Sequence, residues 1–394
     1  MSKLNQTDLP LNGAEAQAAA KQSGKKKKKK KKKSGAVSRF LRRTLLVILT
    51  IVLLAAGALV MVLNTVFNGP SESARDVLTM SLSEASATKW VPGLFLGDEK
   101  VAEIRNKSGA ALEEEFSDAS QVVINKDSAL TASDEWKDYP DGIRIEEYKG
   151  ETYNAHIMII RDPSLVYMAT STDGPFSTAV PGTRIHNEIV DEGAIAAINA
   201  GAFNDDGSAN AYVGSIPAGL LMVNGEVRSN TEHHRVPEEG FAGFTFDNIL
   251  VVAKSMTADQ AKELNIRDGC EFGPVLIMNG TVNQEAYNAN SGYNPRTAIG
   301  QRADGAVIFL CIDGRQASSL GGTYRDIIDI MVEYGAVNAC NMDGGSSSVM
   351  MYQDSQGRYG EPGEYVMINS YSLLQSEPRR MPNFWMVRPA NEEG

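Results

Sequence analysis

The sequence predicts a mixed α/β (α+β) fold: a single-pass N-terminal transmembrane helix, then a mixed, largely antiparallel sheet domain with packed helices. Three observations predict it. An uncharged apolar run covers residues 45–63, with Thr50 its one polar side chain. From Ile143 onward, apolar runs of strand length alternate with Asn-Gly and Asp-Gly turns. Among them lie segments with the i, i+3, i+4 spacing of amphipathic helices, the clearest opening at Thr323.

The N-terminal third is organised by charge. Residues 1–43 hold fourteen Lys and Arg, nine of them consecutive from Lys25 to Lys33, against Asp8 and Glu15. That is +12, so a total of −11 leaves −23 on the remainder. The tail is polar, small and lysine-rich, a composition that does not build a core. A bilayer crossing takes about 20 apolar residues, and the run after Arg43 lacks the polar face of a soluble core helix. Basic flanks favour the cytoplasm. The expected arrangement is a basic cytoplasmic tail (1–43), an uncleaved signal anchor (44–67) and a large extracytoplasmic part. A cleaved signal peptide has an apolar core of only about 7–15 residues, and the small stretch Ala55-Ala-Gly57 lies inside the run rather than after it. Beside such a span the lysines suit anionic lipid, and no nucleic-acid partner is expected.

Residues 68–140 read as a membrane-proximal region. Residues 71–86 have helical spacing, with Val77, Leu78 and Leu82 on one face, and residues 110–116 form a second short helix candidate. The apolar stretch 90–96 is expected to clasp the main domain; a partner surface is the other reading. Turn chemistry from Asp134 to Gly142 marks the boundary of a domain at 141–394. Within it the expected strands are 153–160, 165–170, 194–199, 274–280, 297–301, 306–312 and 337–342. Hairpins are expected at 219–228, through Asn224-Gly225, and at 241–253, around Asp247-Asn248. Helices are expected at 185–192, at 257–264 and from Thr323, where Asp326 completes an acidic variant of the capping box and Gly335 ends the helix. Cys270, Cys311 and Cys340 are too few for a disulfide framework and read as buried thiols. His156, His186, His233 and His234 show no zinc-binding helix spacing, and the loop Asn204-Asp-Asp-Gly207 lacks the ligand alternation of an EF-hand. No metal site and no cofactor are assigned.

The chemistry concentrates in Asn338-Ala-Cys-Asn-Met-Asp343-Gly-Gly-Ser-Ser-Ser348. An apolar run stops at a carboxylate, two glycines and three hydroxyls. Glycines let backbone N–H groups approach a ligand closely, and serines add neutral donors. Gly344, Gly345, Ser346 and Ser347 thus suit an oxygen-rich, phosphorylated ligand; an Asp-Gly hairpin turn fits the same residues. Upstream stand Ala196-Ala-Ile-Asn199-Ala-Gly201-Ala-Phe203, Asn294-Pro-Arg296-Thr297-Ala-Ile-Gly300 and the strand-like run into Asp313-Gly-Arg315.

In this order the motifs resemble the phosphodiester glycosidase family, over roughly residues 150–390. The resemblance implies a hydrolase that removes a sugar from a sugar-1-phosphodiester, in a family whose bacterial members are associated with exopolysaccharide. The expected substrate is a sugar phosphodiester in cell-surface polysaccharide or wall polymer. The chain departs from the family's animal layout in having an N-terminal anchor and no cysteine-rich tail.

Such a reaction needs the phosphate held, positive charge at the anomeric carbon stabilised and a nucleophile delivered. Arg296 and Arg315 are the candidates for the phosphate, since a guanidinium matches oxyanion geometry. An extracytoplasmic part carrying −23 repels a phosphodiester unless local cations focus the field. Asp313 and Asp343 are the candidate catalytic carboxylates: both follow apolar runs and precede glycine. If their strands are neighbours, both project from one sheet edge. Asp343 is the favoured nucleophile or base. Asn199, Gly201 and Phe203 fit a second wall, and Thr297 beside Arg296 is a further substrate-binding candidate; Phe203 fits either a sugar platform or a core aromatic. Two other function classes use the same residues: a non-catalytic binding module for phosphorylated glycopolymer, and a structural partner of polymer-assembly machinery acting through residues 68–140. The identity of any protein partner is not legible.

Overall fold

The computed structural model describes residues 34–84, 88–105, 112, 114–122, 136–204, 213–231, 240–371 and 377–390. The run Lys25 to Lys33, the loop residues 205–207, and His233 and His234 lie outside these. The chain divides into two compact units, Met1–Thr65 and Val66–Gly394.

The first unit is built on helix α1 (Ser34–Phe67), whose last two residues, Val66 and Phe67, belong to the second unit. Among the described residues, Arg39–Phe67 is the one helical stretch long and apolar enough to cross a membrane. Leu45, Ile48, Ile51, Leu54 and Met61 are all exposed, so no protein core explains its apolar character. At 1.5 Å per residue, the uncharged run of 19 residues covers about 28 Å, close to the roughly 30 Å hydrocarbon core.

The second unit opens with helices α2 (Glu72–Glu84), α3 (Val91–Leu96) and α4 (Asp98–Arg105). Phe95 of α3 stacks on Phe67, ring centroids 5.0 Å apart, whereas Trp90 and Leu94 are exposed. The helix expected at 110–116 is absent where the chain is described. Residues 112 and 114–116 are non-helical, and Phe116 instead pairs with Ala253 in an isolated antiparallel bridge. An unpaired strand edge outcompetes weak helical spacing there: Val252 N donates to Ser117 Oγ at 2.9 Å.

The main body follows in chain order: β1 (Ile143–Lys149), β2 (Asn154–Ile160), β3 (Val166–Thr170), α5 (Ile185–Asp191), β4 (Ala196–Asn199), β5 (Gly219–Val223), β6 (Glu226–Thr231), β7 (Phe241–Thr245), β8 (Leu250–Ala253) and α6 (Ala258–Glu263). Then come β9 (Ile266–Glu271), β10 (Val275–Met278), β11 (Thr281–Val282), α7 (Gln284–Asn288), β12 (Arg296–Arg302), β13 (Val307–Ile312), α8 (Tyr324–Glu333), β14 (Ala336–Met342), β15 (Met350–Asp354), β16 (Glu364–Met367) and β17 (Asn383–Val387). The strands form three sheets: a seven-stranded one in the order β1-β2-β13-β12-β14-β10-β11, and two five-stranded ones, β16-β15-β4-β17-β3 and β6-β5-β9-β7-β8. All their pairings are antiparallel.

One apolar core unites the three sheets, with Met158, Ile299 and Phe309 from the first, Ile198, Tyr352 and Trp385 from the second, and Leu221, Phe244 and Val252 from the third. A second core lies between the other face of the seven-stranded sheet and α8, where Ile157, Ile308 and Leu310 meet Ile327, Ile328 and Met331. Both faces of that sheet are covered, so its strands read as unbroken apolar runs rather than as alternating ones. The turns follow local chemistry. Asn224 and Gly225 take φ of 50° and 82° between β5 and β6, as a primed hairpin turn requires. Thr323 caps α8: its hydroxyl accepts from Asp326 N, and the Asp326 side chain accepts from Thr323 N, closing the capping box.

Candidate functional site

The site is set by register. β12 begins where β13 and β14 end: Arg296 pairs with Ile312, and Thr297 with Met342. The residues just past those ends, Asp313 and Asp343, therefore flank the start of β12 rather than sitting on adjacent strands. Two strand spacings separate their backbones by about 9–10 Å. The second sheet meets the same end, because β4 terminates in Asn199 opposite Thr297.

Asn199 ties the loops together. It is fully buried. Its Nδ2 donates to Asp343 O at 2.5 Å, and its Oδ1 accepts from Thr297 Oγ1 at 2.9 Å and from Val349 N at 3.1 Å. Asp343 N donates to Ala200 O at 3.1 Å, and Gly345 N to Pro295 O at 2.8 Å. The turn from Asp343 to Ser347 is thus pinned to β4 and to the entry of β12 from three sides, with Gly345 at φ 63°, in the left-handed region. Asp343 itself is half-buried. The hydroxyls of Ser347 and Ser348 are buried with no hydrogen-bond partner among the described residues, and an orphaned buried donor calls for an explanation.

Asp313 is deeper. Its carboxylate Oδ1 accepts from Ser370 N at 2.9 Å, and its Oδ2 lies 3.3 Å from Nε2 of His156. His156, on β2, is buried, and its Nδ1 has no partner among the described residues. Between His156 and Thr297 in the same cross-strand row lies Cys311. Burial pushes its thiol far up, and the Asp313 charge adds to this, so it stays neutral.

The two arginines go to different places. Neighbouring residues of a strand face opposite sides. Thr297 turns toward Asn199, and Arg296 turns toward α8. There Arg296 Nε donates to Gly322 O at 3.2 Å and Nη2 to Ser291 O and Gly292 O at 2.6 and 3.1 Å. Its guanidinium stacks 4.5 Å from the Tyr324 centroid. Arg315 is exposed and borders the Asp343 turn, where a Cβ added at Gly345 would lie 3.1 Å from its Nη2. Gly201 makes its close approach within the fold: a Cβ there would lie 2.8 Å from Cys270 Cβ, and its N–H donates to Asn383 Oδ1 at 2.7 Å. Phe203 is half-buried, with the Arg379 guanidinium over its ring at 4.5 Å.

Sequence reasoning missed the segment that closes the site. Ser370 holds Asp313, and the next residue, Tyr371, donates through its hydroxyl to Ser346 O at 2.5 Å. One dipeptide therefore joins the two carboxylate loops. Arg379 N in turn donates to Tyr371 Oη at 3.3 Å. The adjacent pair Arg379-Arg380, in a chain whose part after residue 43 is strongly acidic overall, was the readable signal for it. A separate depression of about 640 Å³ lies at the opposite end of the seven-stranded sheet, lined by Arg144, Glu146, Arg302, Asp304, Glu333 and Tyr334. Its two arginines form Arg144–Glu146 and Arg302–Asp304 ion pairs of 2.9 and 2.6 Å, and it contains none of the residues above.

A model of the phosphodiester glycosidase family matches residues 192–388. Among curated proteins, the SPbeta prophage-derived uncharacterized protein YomE of Bacillus subtilis (strain 168) is 44% identical over 98 residues, 24% of this chain and 15% of that protein. The chain thus spans a small part of that relative's length. Among solved structures, the catalytic domain of zebrafish N-acetylglucosamine-1-phosphodiester alpha-N-acetylglucosaminidase, auto-inhibited by its pro-peptide, is 18% identical with a TM-score of 0.48, over 63% of this chain and 82% of that one. A hypothetical protein from Synechocystis is 15% identical with a TM-score of 0.41, over 62% of each chain.

Proposed function

The chain belongs to the phosphodiester glycosidase family, and from that premise we propose that it hydrolyses the glycosidic bond of a sugar-1-phosphodiester in cell-surface glycopolymer. The proposed layout is a basic cytoplasmic tail (1–43), a membrane anchor (44–67), a membrane-proximal region (68–140) and an extracytoplasmic catalytic domain (141–394). The observation that carries the reading is the Asp343 turn. A half-buried aspartate sits on a turn whose backbone is fixed by Asn199 and by Pro295, with the Arg315 guanidinium against the turn at Gly345 and a second carboxylate at the same sheet end.

In the reaction, water adds to the anomeric carbon and the bond to the phosphate oxygen breaks. The sugar leaves with the water oxygen, and the phosphate leaves as a monoester. Phosphate is already a good leaving group, so strong general-acid help is unnecessary, unlike at an ordinary glycoside. Asp343 is the group for the nucleophile or base role, because its carboxylate is the less buried of the two. Asp313, held by Ser370 N–H and facing His156, suits orientation of a hydroxyl.

The test uses the full-length chain in lipid nanodiscs with a panel of sugar-1-phosphodiesters. Wild type releases free sugar, and Asp343→Asn does not, at unchanged melting temperature. Full turnover by that variant, or a well-folded wild type inert across the panel, refutes the proposal.

A further inference from the structure

We infer that Arg379 and Arg315 together form the anion-binding wall of this site, holding the phosphodiester group from either side of the Gly345-Ser346 turn. This rests on the functional reading above and names the side chains that recognise its phosphate.

The two cations are far apart in sequence and converge on one turn. On one side, Arg315 Nη2 lies so close to Gly345 that a Cβ there would sit 3.1 Å from it. Arg315 holds φ at 57°, a conformation non-glycine residues rarely adopt. Such backbone strain clusters at functional sites, and here it accompanies a guanidinium that Asn294 Oδ1 orients at 3.1 Å. On the other side, Tyr371 bridges Ser346 O and Arg379 N at 2.5 and 3.3 Å. The Arg379 side chain lies over Phe203, 4.5 Å from the centroid.

Electrostatics agree with this placement. Burial pushes the Tyr371 phenol up, Arg379 and Arg315 pull it down, and Asp343 pushes it up again. Both guanidinium groups and the Asp343 carboxylate thus act on one oxygen. The two guanidinium groups offset the Asp343 and Asp313 carboxylates at this sheet end, so that a phosphodiester is not repelled there. Arg296 serves differently, because its guanidinium lies on the α8 side of the sheet among backbone carbonyls. Phe203 then acts chiefly as the platform that sets Arg379.

The experiment measures thermal shift against inorganic phosphate and against dimethyl phosphate, a diester charge without a sugar. The full-length wild type, Arg379→Gln, Arg315→Gln and, as a control outside the site, Arg228→Gln are compared, together with hydrolysis of the phosphodiester panel. Both anions stabilise wild type and Arg228→Gln. Arg379→Gln and Arg315→Gln each weaken binding about tenfold or more, and KM rises more than kcat falls. If Arg379→Gln does not fold, Arg379→Lys and Phe203→Leu replace it, with a smaller loss expected from each. Hydrolysis and anion binding unchanged in the Arg379 variants overturn the inference and leave the function standing. Anion binding by wild type that the arginine variants lose, without hydrolysis by any protein, supports the inference and removes the hydrolase. No anion binding by folded wild type overturns the inference.

Discussion

Replacing Asn199 by alanine tests whether one buried amide holds the Asp343 turn. The side chain is wholly inaccessible and makes three hydrogen bonds, to Asp343 O, Thr297 Oγ1 and Val349 N. Truncation strands one carbonyl, one hydroxyl and one amide. Each stranded buried group costs about 1–3 kcal/mol, but Thr297 lies beside Cys311 and Asp343 is only half-buried, so a net loss of about 2–4 kcal/mol is expected. For a domain of this size, that lowers the melting temperature by on the order of 10 °C. The assay is thermal unfolding of the full-length protein by circular dichroism, with sugar release measured well below both transitions. Activity should fall further than the folded fraction does, because Asp343 loses its anchor while the rest of the sheet persists. Asn199→Asp is the sharper companion. It keeps both acceptor contacts, removes the donor to Asp343 O and adds a negative charge beside that turn, so it should lose more activity than stability. A melting temperature within about 1 °C of wild type for Asn199→Ala, with full turnover, would show that this amide does not hold the turn.

Two further outcomes are expected. Burial pushes the Glu188 carboxyl from 4.5 up to about 7, with Glu192 and Asp191 adding like-charge repulsion. A carboxyl raised in the folded state favours folding while protonated, so that stability is lost as pH rises from its unfolded value through about 7, by about 1–3 kcal/mol. Glu188→Gln should therefore raise the melting temperature at pH 8 and leave it nearly unchanged at pH 5; equal shifts at both pH values count against this. Arg296→Ala strands the carbonyls of Ser291, Gly292 and Gly322 and removes the Tyr324 stack. It should cost about 3–5 kcal/mol, with phosphate affinity of the folded fraction retained; normal stability with lost affinity would contradict the assignment.

Much of this fold was legible because its signals are local. Asn224-Gly225 and Asn279-Gly280 turn where their φ preferences allow, and Thr323 and Asp326 cap a helix whose apolar face needs no other information. Asp313 and Asp343 were legible for a related reason, since an apolar run ending in Asp-Gly marks where a buried strand leaves its sheet. Direction was harder. Strand spacing shows that Arg296 and Thr297 face opposite sides, but not which of them turns toward Asn199 and the Asp343 turn. β9 was not foreseen because Arg267, Asp268 and Gly269 interrupt its pattern, and the Arg267–Asp268 ion pair of 2.8 Å that offsets their burial is visible only in space. Ser370, Tyr371 and Arg379 escaped because their importance lies in contacts with residues 25 to 57 positions earlier and in a phenylalanine far upstream. No periodicity encodes such meetings.

The seven residues of β12 run from the Asp343 turn to the Arg302–Asp304 corner, about 20 Å away at strand rise. The corner at Ala303-Asp304-Gly305 is consequently a natural handle. A fluorophore, an affinity peptide or a surface-immobilisation tether grafted there would report on the molecule while leaving the Asp343 turn undisturbed.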